Sequence, residues 1–318
     1  MSEGSMLSRA TVVIVTWNSA HLIERCLEPF DRTKDRPRVV VYDNASTDET
    51  VALIEKRFSW VNLIAGSENI GFGRANNAAL LDDDNSFYIL LNPDAFVSSS
   101  SDLAELLVEL DASPDVGSVG PMLLHGDGSH QVGDAGWATS IGSVAAHVFW
   151  LHRVFPKVRS IYVSNKRLLK RNTLEVDWIC GACLVVRNKA WHHMGGFDDS
   201  IFMYGEDVDL GERLRKAGWR CLYVPRVKVT HLQGGTQGAS EQTYYSAKWM
   251  IARAKRFAKN NGRIKYWILK HTLSIGYLGR CILSLFTSFR VSGKTKLYWR
   301  FSRDAFKLPS WQDQRAER

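Results

Sequence analysis

A chain of 318 residues with 45% hydrophobic and 23% charged residues is long enough for one large α/β domain plus an appendage, with an ample core. Its net charge of +8 is unevenly spread: residues 240–318 hold 17 Lys/Arg against 4 Asp/Glu, and the remaining 239 residues hold 24 against 29. The body is therefore mildly acidic, which argues against a general nucleic-acid binder, while the basic, aromatic-rich tail suits an anionic surface.

Five cysteines at irregular spacings (Cys26, Cys180, Cys183, Cys221 and Cys281) read as reduced and intracellular. The Cys180-Gly181-Ala182-Cys183 pair has no second pair at zinc spacing and runs into a strand rather than a redox helix, so a structural role is expected. The N-terminal MSEGSMLSRA carries no apolar signal core.

Along the chain, Thr11–Thr16 is a β-branched run that predicts a buried first strand, closed by Trp17 and Asn18. Polar residues at such a strand end touch a ligand or cap the next helix. Val39–Tyr42 predicts a second strand. Ser46 and Glu49 after it have capping-box spacing and predict a helix from about Thr47. Asp43, between strand end and cap, is a candidate for binding a nucleobase or ribose.

Gly71-Phe72-Gly73 invites a dinucleotide-binding reading, but it follows a third strand, and Asn76 stands where the fingerprint needs a small residue. A glycine turn into a helix carrying Arg74, Asn76 and Asn77 suits phosphate or sugar hydroxyls instead, or is a solvated polar face. Phe87–Leu91 predicts a buried strand that Pro93 stops. Asp94 then stands just beyond a strand's carboxyl end, where open α/β sheets bind ligands, and it either reaches a hard cation or caps a helix.

Ser98–Ser101 caps a helix with leucines at helical spacing, and Val116–Met122 predicts another strand. Residues 125–174 are poorly patterned and read as loops with a partly helical insert. Asp177–Arg187 predicts a strand. Glu206, Asp207 and Asp209 open a helix that stops at Gly218. Charge–dipole placement needs only one or two of these acids, and Glu206 and Asp207, which precede the apolar stripe of Leu210 and Leu214, are free to face a cleft. A last strand ends near His231, a cation-ligand candidate only if its loop returns to Asp94.

The ordered set TVVIVTWN, VYDNASTD, ENIGFGRANNAAL, LLNPDAF, WICGACLVV, GGFDDSIFMYGEDVDLGERLRKAGW and His231 resembles the inverting family 2 glycosyltransferases, closest to their bacterial rhamnosyltransferase-like branch. The resemblance covers Thr11 to Gly235. It implies a GT-A nucleotide-sugar-binding fold, a mostly parallel sheet flanked by helices, over residues 1–239, with a helical basic and aromatic extension over 240–318.

Thr16, Trp17, Asn18 and Asp43 would meet the donor's nucleoside. Asn69, Gly71, Arg74 and Asn76 would border the rest of the donor. Asn92 and Asp94 stand where the family carries its Asp-x-Asp element, with Asn92 in place of the first aspartate. Asp94 would hold Mg²⁺ or Mn²⁺ on the diphosphate, and His231 would be a further contact to the metal or to the diphosphate. Asp207 would be the catalytic base, with Glu206 beside it.

The expected activity is sugar transfer from a nucleotide donor, dTDP-rhamnose or a UDP-sugar, to a polyprenyl-diphosphate-linked or other saccharide in cell-wall or polysaccharide biosynthesis. A nucleotide-binding dehydrogenase and a non-enzymatic nucleic-acid-binding module are the rival readings. In the tail, Tyr244, Tyr245, Trp249, Ile251 and Phe257 interleave with basic residues. Lys270, His271 and Arg280 interrupt the apolar run that follows, so no stretch reaches the ~20 residues a spanning helix needs. Helices lying on an anionic membrane are expected, placing the protein peripherally on the inner face of the cell membrane; the alternative is a helical subdomain packed on the catalytic body with a basic solvated face.

Overall fold

In the computed structural model the described residues are 6–33, 36–81, 83–155, 157–232, 234, 248–288 and 291–316. Tyr244 and Tyr245 of the tail, and Gln233 and Gly235 of the last loop, lie outside them. The chain divides into two compact units, Met1–Ala135 with Lys166–Ser240, and Gly136–Asn165 with Glu241–Arg318. The insert at 136–165 therefore groups with the tail.

The first unit is built on a nine-stranded sheet. Its strands are β1 Ala10–Thr16, β2 Arg38–Asp43, β3 Asn62–Ala65, β4 Phe87–Leu91, β5 Ala95–Phe96, β6 Val116–Leu124, β7 Leu174–Val176, β8 Cys183–Arg187 and β9 Arg220–His231. They lie in the order β3-β2-β1-β4-β8-β6-β9-β5, with β7 also on β9. β1, β2, β3 and β4 run parallel, β6 is parallel to β9, and β8 is antiparallel to β4 and β6. The expected mostly parallel sheet with flanking helices forms, and the structure adds antiparallel pairings at β5, β7 and β8.

Its helices are α1 Ala20–Asp31, α2 Thr50–Arg57, α3 Phe72–Ala79, α4 Ser100–Asp111, α5 Asn188–Met194 and α6 Glu206–Lys216. β4 is buried along its whole length, as a central strand covered on both faces should be. Leu103, Leu106, Leu107 and Leu110 of α4 pack into the same core as β1, β4 and β6.

Two local expectations change. Ser46 does not cap α2, whose cap residue is Glu49. The Ser46 hydroxyl is taken by the Asp43 carboxylate, and Asp48 instead accepts the Thr50 N–H at 3.0 Å. The strand expected over 177–187 is broken: the extended pair Trp178–Ile179 is followed by a turn, and β8 starts only at Cys183.

The second unit contains helices Ile141–Val148 and Leu151–Val154 of the insert and, from the tail, α7 Lys248–Asn260, α8 Arg263–Ser288, α9 Gly293–Phe306 and α10 Trp311–Ala316. Val144 and Val148 join Leu269, Leu273, Tyr277 and Phe301 in its core. A Cβ on Gly276 would overlap Val148, so the helices meet at a residue without a side chain. Arg280 donates to the carbonyls of His147 and Val148, capping the C-terminus of the insert helix. No described helix is long and apolar enough to cross a membrane.

Candidate active site

The site is assembled at the carboxyl ends of β1, β2 and β4. Asp43, at the end of β2, is buried, and both its oxygens are engaged by the chain itself. Oδ1 accepts from the Thr16 hydroxyl at 2.8 Å and the Ser46 hydroxyl at 2.5 Å, and Oδ2 accepts the Ser46 N–H at 2.8 Å. The Asn18 N–H in turn donates to the Ser46 hydroxyl, and the Asn18 side-chain oxygen accepts the Thr47 N–H, both at 2.8 Å. This network ties the β1–α1 loop to the β2–α2 loop. It holds Asn18 and Ala45 at φ of 50° and 61°, values that non-glycine residues adopt only where their surroundings enforce them. Trp17, 40% exposed, stands at the same strand end.

The turn before α3 is pinned from two sides. Asn44 accepts the Ile70 N–H and donates to the Gly71 carbonyl, while Asn69 accepts the Gly71 N–H. Gly71 has φ +89°, and a Cβ there would lie 2.6 Å from the Phe202 carbonyl oxygen, so only glycine fits. Arg74 donates to the Asp199 carbonyl at 2.8 Å. Asn76 is buried, and its amide donates to the Phe72 carbonyl of its own helix.

Asp94 and His231 are brought together by strand pairing. β5 runs antiparallel to β9 with Ala95 opposite His231, and the Leu232 N–H donates to the Asp94 carbonyl at 2.9 Å. His231 Nε2 then lies 3.2 Å from Asp94 Oδ1, both side chains being buried. The condition for His231 to matter, a return of its loop to Asp94, is met.

The carboxylates of α6 hang from the same sheet. The Asn92 N–H donates to the Ala182 carbonyl at 2.9 Å, and the neighbouring Gly181 N–H donates to Asp207 Oδ2 at 3.2 Å. Asp207 Oδ1 accepts the Val208 N–H. Glu206 is buried beside it, and burial, reinforced by the charge of Asp207, pushes its carboxyl up to about 8. Two adjacent carboxyls resist joint ionisation, and the burial of Glu206 favours its neutral form. Asp209 faces elsewhere and is buried against Arg213, which also holds the Met194 and Gly196 carbonyls.

Tyr204 feels the charges of both clusters. Burial raises its hydroxyl pKa, and the charges of Glu206 and Asp94 add to the shift. Its φ is +68°.

The donor set fits a hard divalent cation held partly by its ligand. One carboxylate and one imidazole converge, the Asn92 side-chain oxygen is buried with no hydrogen-bond partner, and no third acid, His or Cys completes a cluster among the described residues. One or two protein ligands plus substrate phosphates is the usual arrangement for Mg²⁺.

Sequence assigns no role to two contributors. Gly181, within WICGACLVV, supplies the amide that reaches Asp207, and Gln131, in the weakly patterned stretch after β6, binds His231 Nδ1 at 2.7 Å.

Residues 11–190 match the profile of Glycosyl transferase family 2, and residues 125–301 match that of Glycosyl transferase family group 2. The chain is 32% identical over 254 residues to an N-acetylglucosaminyl-diphospho-decaprenol L-rhamnosyltransferase of Mycobacterium tuberculosis, covering 74% of this chain and 80% of the relative. It is 26% identical over 238 residues to the Escherichia coli rhamnosyltransferase WbbL, covering 69% and 82%. Among solved structures, a Pyrobaculum calidifontis mannosyltransferase in complex with GDP-Man and Mn²⁺ superposes with a TM-score of 0.57 at 16% identity, over 93% of this chain and 84% of that one. GalNAc-T7 with UDP, GalNAc and Mn²⁺ gives 0.58 at 15% identity, over 95% and 56%. At these identities the structural likeness speaks to the fold, which is GT-A. With a family profile spanning more than half of its length and a relative above 30% identity over most of it, the chain belongs to the family 2 glycosyltransferases and is similar to their rhamnosyltransferases.

Proposed function

We propose that the protein is a metal-dependent inverting rhamnosyltransferase that takes rhamnose from dTDP-rhamnose and adds it to a polyprenyl-diphosphate-linked saccharide during cell-surface polysaccharide assembly. The observation that carries this reading is the pairing of Asp94 with His231 on a sheet whose β8 entry also holds Asp207. The rhamnosyl donor and lipid-linked acceptor rest on the names of the relatives.

Asp94 Oδ1 and His231 Nε2 would hold Mg²⁺ or Mn²⁺, which when bound stabilises negative charge on the departing diphosphate as a Lewis acid. The protein's own work is positional and basic. Asp207, kept in place by the Gly181 and Val208 amides, accepts the proton of the acceptor hydroxyl as that oxygen bonds to the anomeric carbon and the bond to the diphosphate breaks. Glu206, its carboxyl pushed up by burial and by the Asp207 charge, is a buried neighbour that favours its neutral form beside the base. The two linked loops after β1 and β2 form the nucleoside end, where Thr16 and Asp43 brace the backbone and Trp17 offers an open ring.

We further propose that the second unit rests on the inner face of the cell membrane. It holds 20 Lys/Arg against 4 Asp/Glu, leaving 21 against 29 in the catalytic unit. α8 buries Tyr266, Leu269, Leu273 and Tyr277, while Ile264, Trp267, Ile275, Leu278, Ile282 and Phe286 form a second, exposed apolar face at helical spacing. An exposed apolar face within a strongly basic unit suits an anionic bilayer.

The deciding assay offers dTDP-rhamnose and, separately, UDP-sugars to the full chain with N-acetylglucosaminyl-diphospho-polyprenol and Mn²⁺. Rhamnosyl transfer that is lost on chelation is expected. Transfer from a UDP-sugar alone would replace the donor, and undiminished transfer in excess chelator would remove the metal.

A further inference from the structure

The stretch after β6 carries no family motif, yet it builds a buried chain of contacts that ends at the cation site. β6 and β9 are parallel neighbours with Leu124 opposite Thr230, so the segment leaving β6 emerges beside His231. It turns back at once. Ser129 is held to Asp127, Gly128 takes φ +79°, and His130 bridges back to Leu124. The Gln131 N–H then donates to the Leu123 carbonyl at 2.9 Å, which fixes its backbone, and its side chain is buried against His231.

The contacts of that amide determine which ring nitrogen of His231 carries a proton. The Gln131 amide nitrogen is 3.2 Å from the backbone carbonyl of His231. A carbonyl only accepts, so the NH₂ group must face it. The same nitrogen is 3.2 Å from His125 Nδ1, which can take its second hydrogen. The Gln131 oxygen is thereby turned to His231 Nδ1 at 2.7 Å, and an amide oxygen only accepts. Nδ1 must donate. In the neutral ring Nε2 then holds a lone pair, and it is Nε2 that lies 3.2 Å from Asp94 Oδ1.

We propose that Gln131 is a positioning residue of the cation site: it fixes His231 as the tautomer protonated on Nδ1, so that Nε2 is presented with Asp94 as a ligand pair for a divalent cation. This rests on the reading of Asp94 and His231 as cation ligands. A ligating imidazole normally has its other nitrogen held by a hydrogen-bond acceptor, and loss of that acceptor typically costs 10–100-fold in metal affinity. Leu at position 131 would fill the space without accepting the proton. Glu would still accept it.

The test uses the full chain labelled with ¹⁵N in its histidine rings, at about pH 8 where an ordinary imidazole is neutral. Long-range ¹H–¹⁵N spectra, with His231 identified by its loss in His231→Gln, should show Nδ1 protonated and Nε2 bare. Gln131→Leu should lose that fixed pattern, and Gln131→Glu should keep it. Electron paramagnetic resonance of free Mn²⁺, titrated with the protein and either dTDP or UDP, should show affinity falling by roughly 10-fold or more in Gln131→Leu and within a few-fold of wild type in Gln131→Glu. A wild-type ring protonated on Nε2, or a Gln131→Leu chain with unchanged spectrum and affinity, overturns the proposal. If Gln131→Leu does not fold, the wild-type and Gln131→Glu spectra still decide it. Absence of Mn²⁺ binding by the wild type with either nucleotide would remove the cation reading and the presentation of Nε2 with it, leaving the tautomer as a separate structural result.

Discussion

The backbone N–H of Gly181 points at Oδ2 of Asp207 from 3.2 Å. It can do so because the chain stops being a strand at Cys180 and becomes one again at Cys183. An amide that would otherwise serve the sheet ladder is released to hold a carboxylate, and the next carbonyl, that of Ala182, accepts from Asn92.

Asp207→Asn should leave donor affinity near wild type while kcat falls by ~10² or more, because the amide keeps the shape but takes no proton. Donor titration and transfer rates on the same variant check this. Normal transfer by Asp207→Asn with a dead Glu206→Gln would move the base to Glu206.

Glu206 also sets a pH signature on stability. Its folded carboxyl, pushed up to about 8 by burial and the Asp207 charge, stays protonated while an unfolded Glu ionises near 4.3. The folded state thus binds the extra proton between those values. The stabilising contribution is complete below about 4.3, declines as pH rises and is gone above about 8. Glu206→Gln cannot ionise, so its melting temperature relative to wild type should climb across that window. A constant difference between the two melting curves would contradict the assignment.

Asp94→Ala should abolish the enhancement of nucleoside-diphosphate binding by Mn²⁺. Calorimetry of dTDP and UDP with and without the ion reads this directly. His231→Ala should show a smaller loss of the same kind. If Asp94→Ala retains the full enhancement, the carboxylate has only a structural role.

Gly71→Ala should cost roughly 1–3 kcal/mol of stability, since φ +89° is strained for alanine and the new Cβ meets the Phe202 carbonyl oxygen. Chemical denaturation gives the value. A neutral substitution would mean that the turn and the 202 loop move apart freely.

Trp267→Ser with Phe286→Ser should reduce co-sedimentation with anionic phosphatidylglycerol vesicles while leaving the melting temperature within a few degrees, because both side chains are exposed. About 0.5 M salt should weaken the wild type as well, by screening the basic unit. Equal sedimentation of variant and wild type would remove the membrane contact of α8.

The central strands were legible because the runs at Thr11–Thr16, Val39–Tyr42 and Phe87–Leu91 are buried on both faces and so leave a continuous apolar signal. The meeting of Asp94 with His231 depended on the short β5–β9 pairing, which only the fold discloses. Ser46 was misread because a buried carboxylate nearby competes for a hydroxyl that local spacing assigns to a helix cap. Gln131 was invisible for a related reason: its partners are six and 100 residues away. The insert at 136–165 has too few periodic positions to reveal that it packs with a tail beginning some 75 residues later, as Val148 against Gly276 shows.

The hooks between α3 and the loop ahead of α6 carry a kinetic consequence. Asn77 clasps Phe197 through both its N–H and its carbonyl, Arg74 holds the Asp199 carbonyl, and the Phe72 N–H donates to Phe202. The turn read as bordering the donor and the loop leading to Asp207 are thus one cooperative unit, and neither loosens without breaking bonds of the other. Their amides at Phe72 and Phe197 should exchange with solvent hydrogen in a single opening event. A nucleoside diphosphate that settles onto the turn should therefore slow exchange at Phe197 as well as at Phe72, which exchange with and without dTDP or UDP would read.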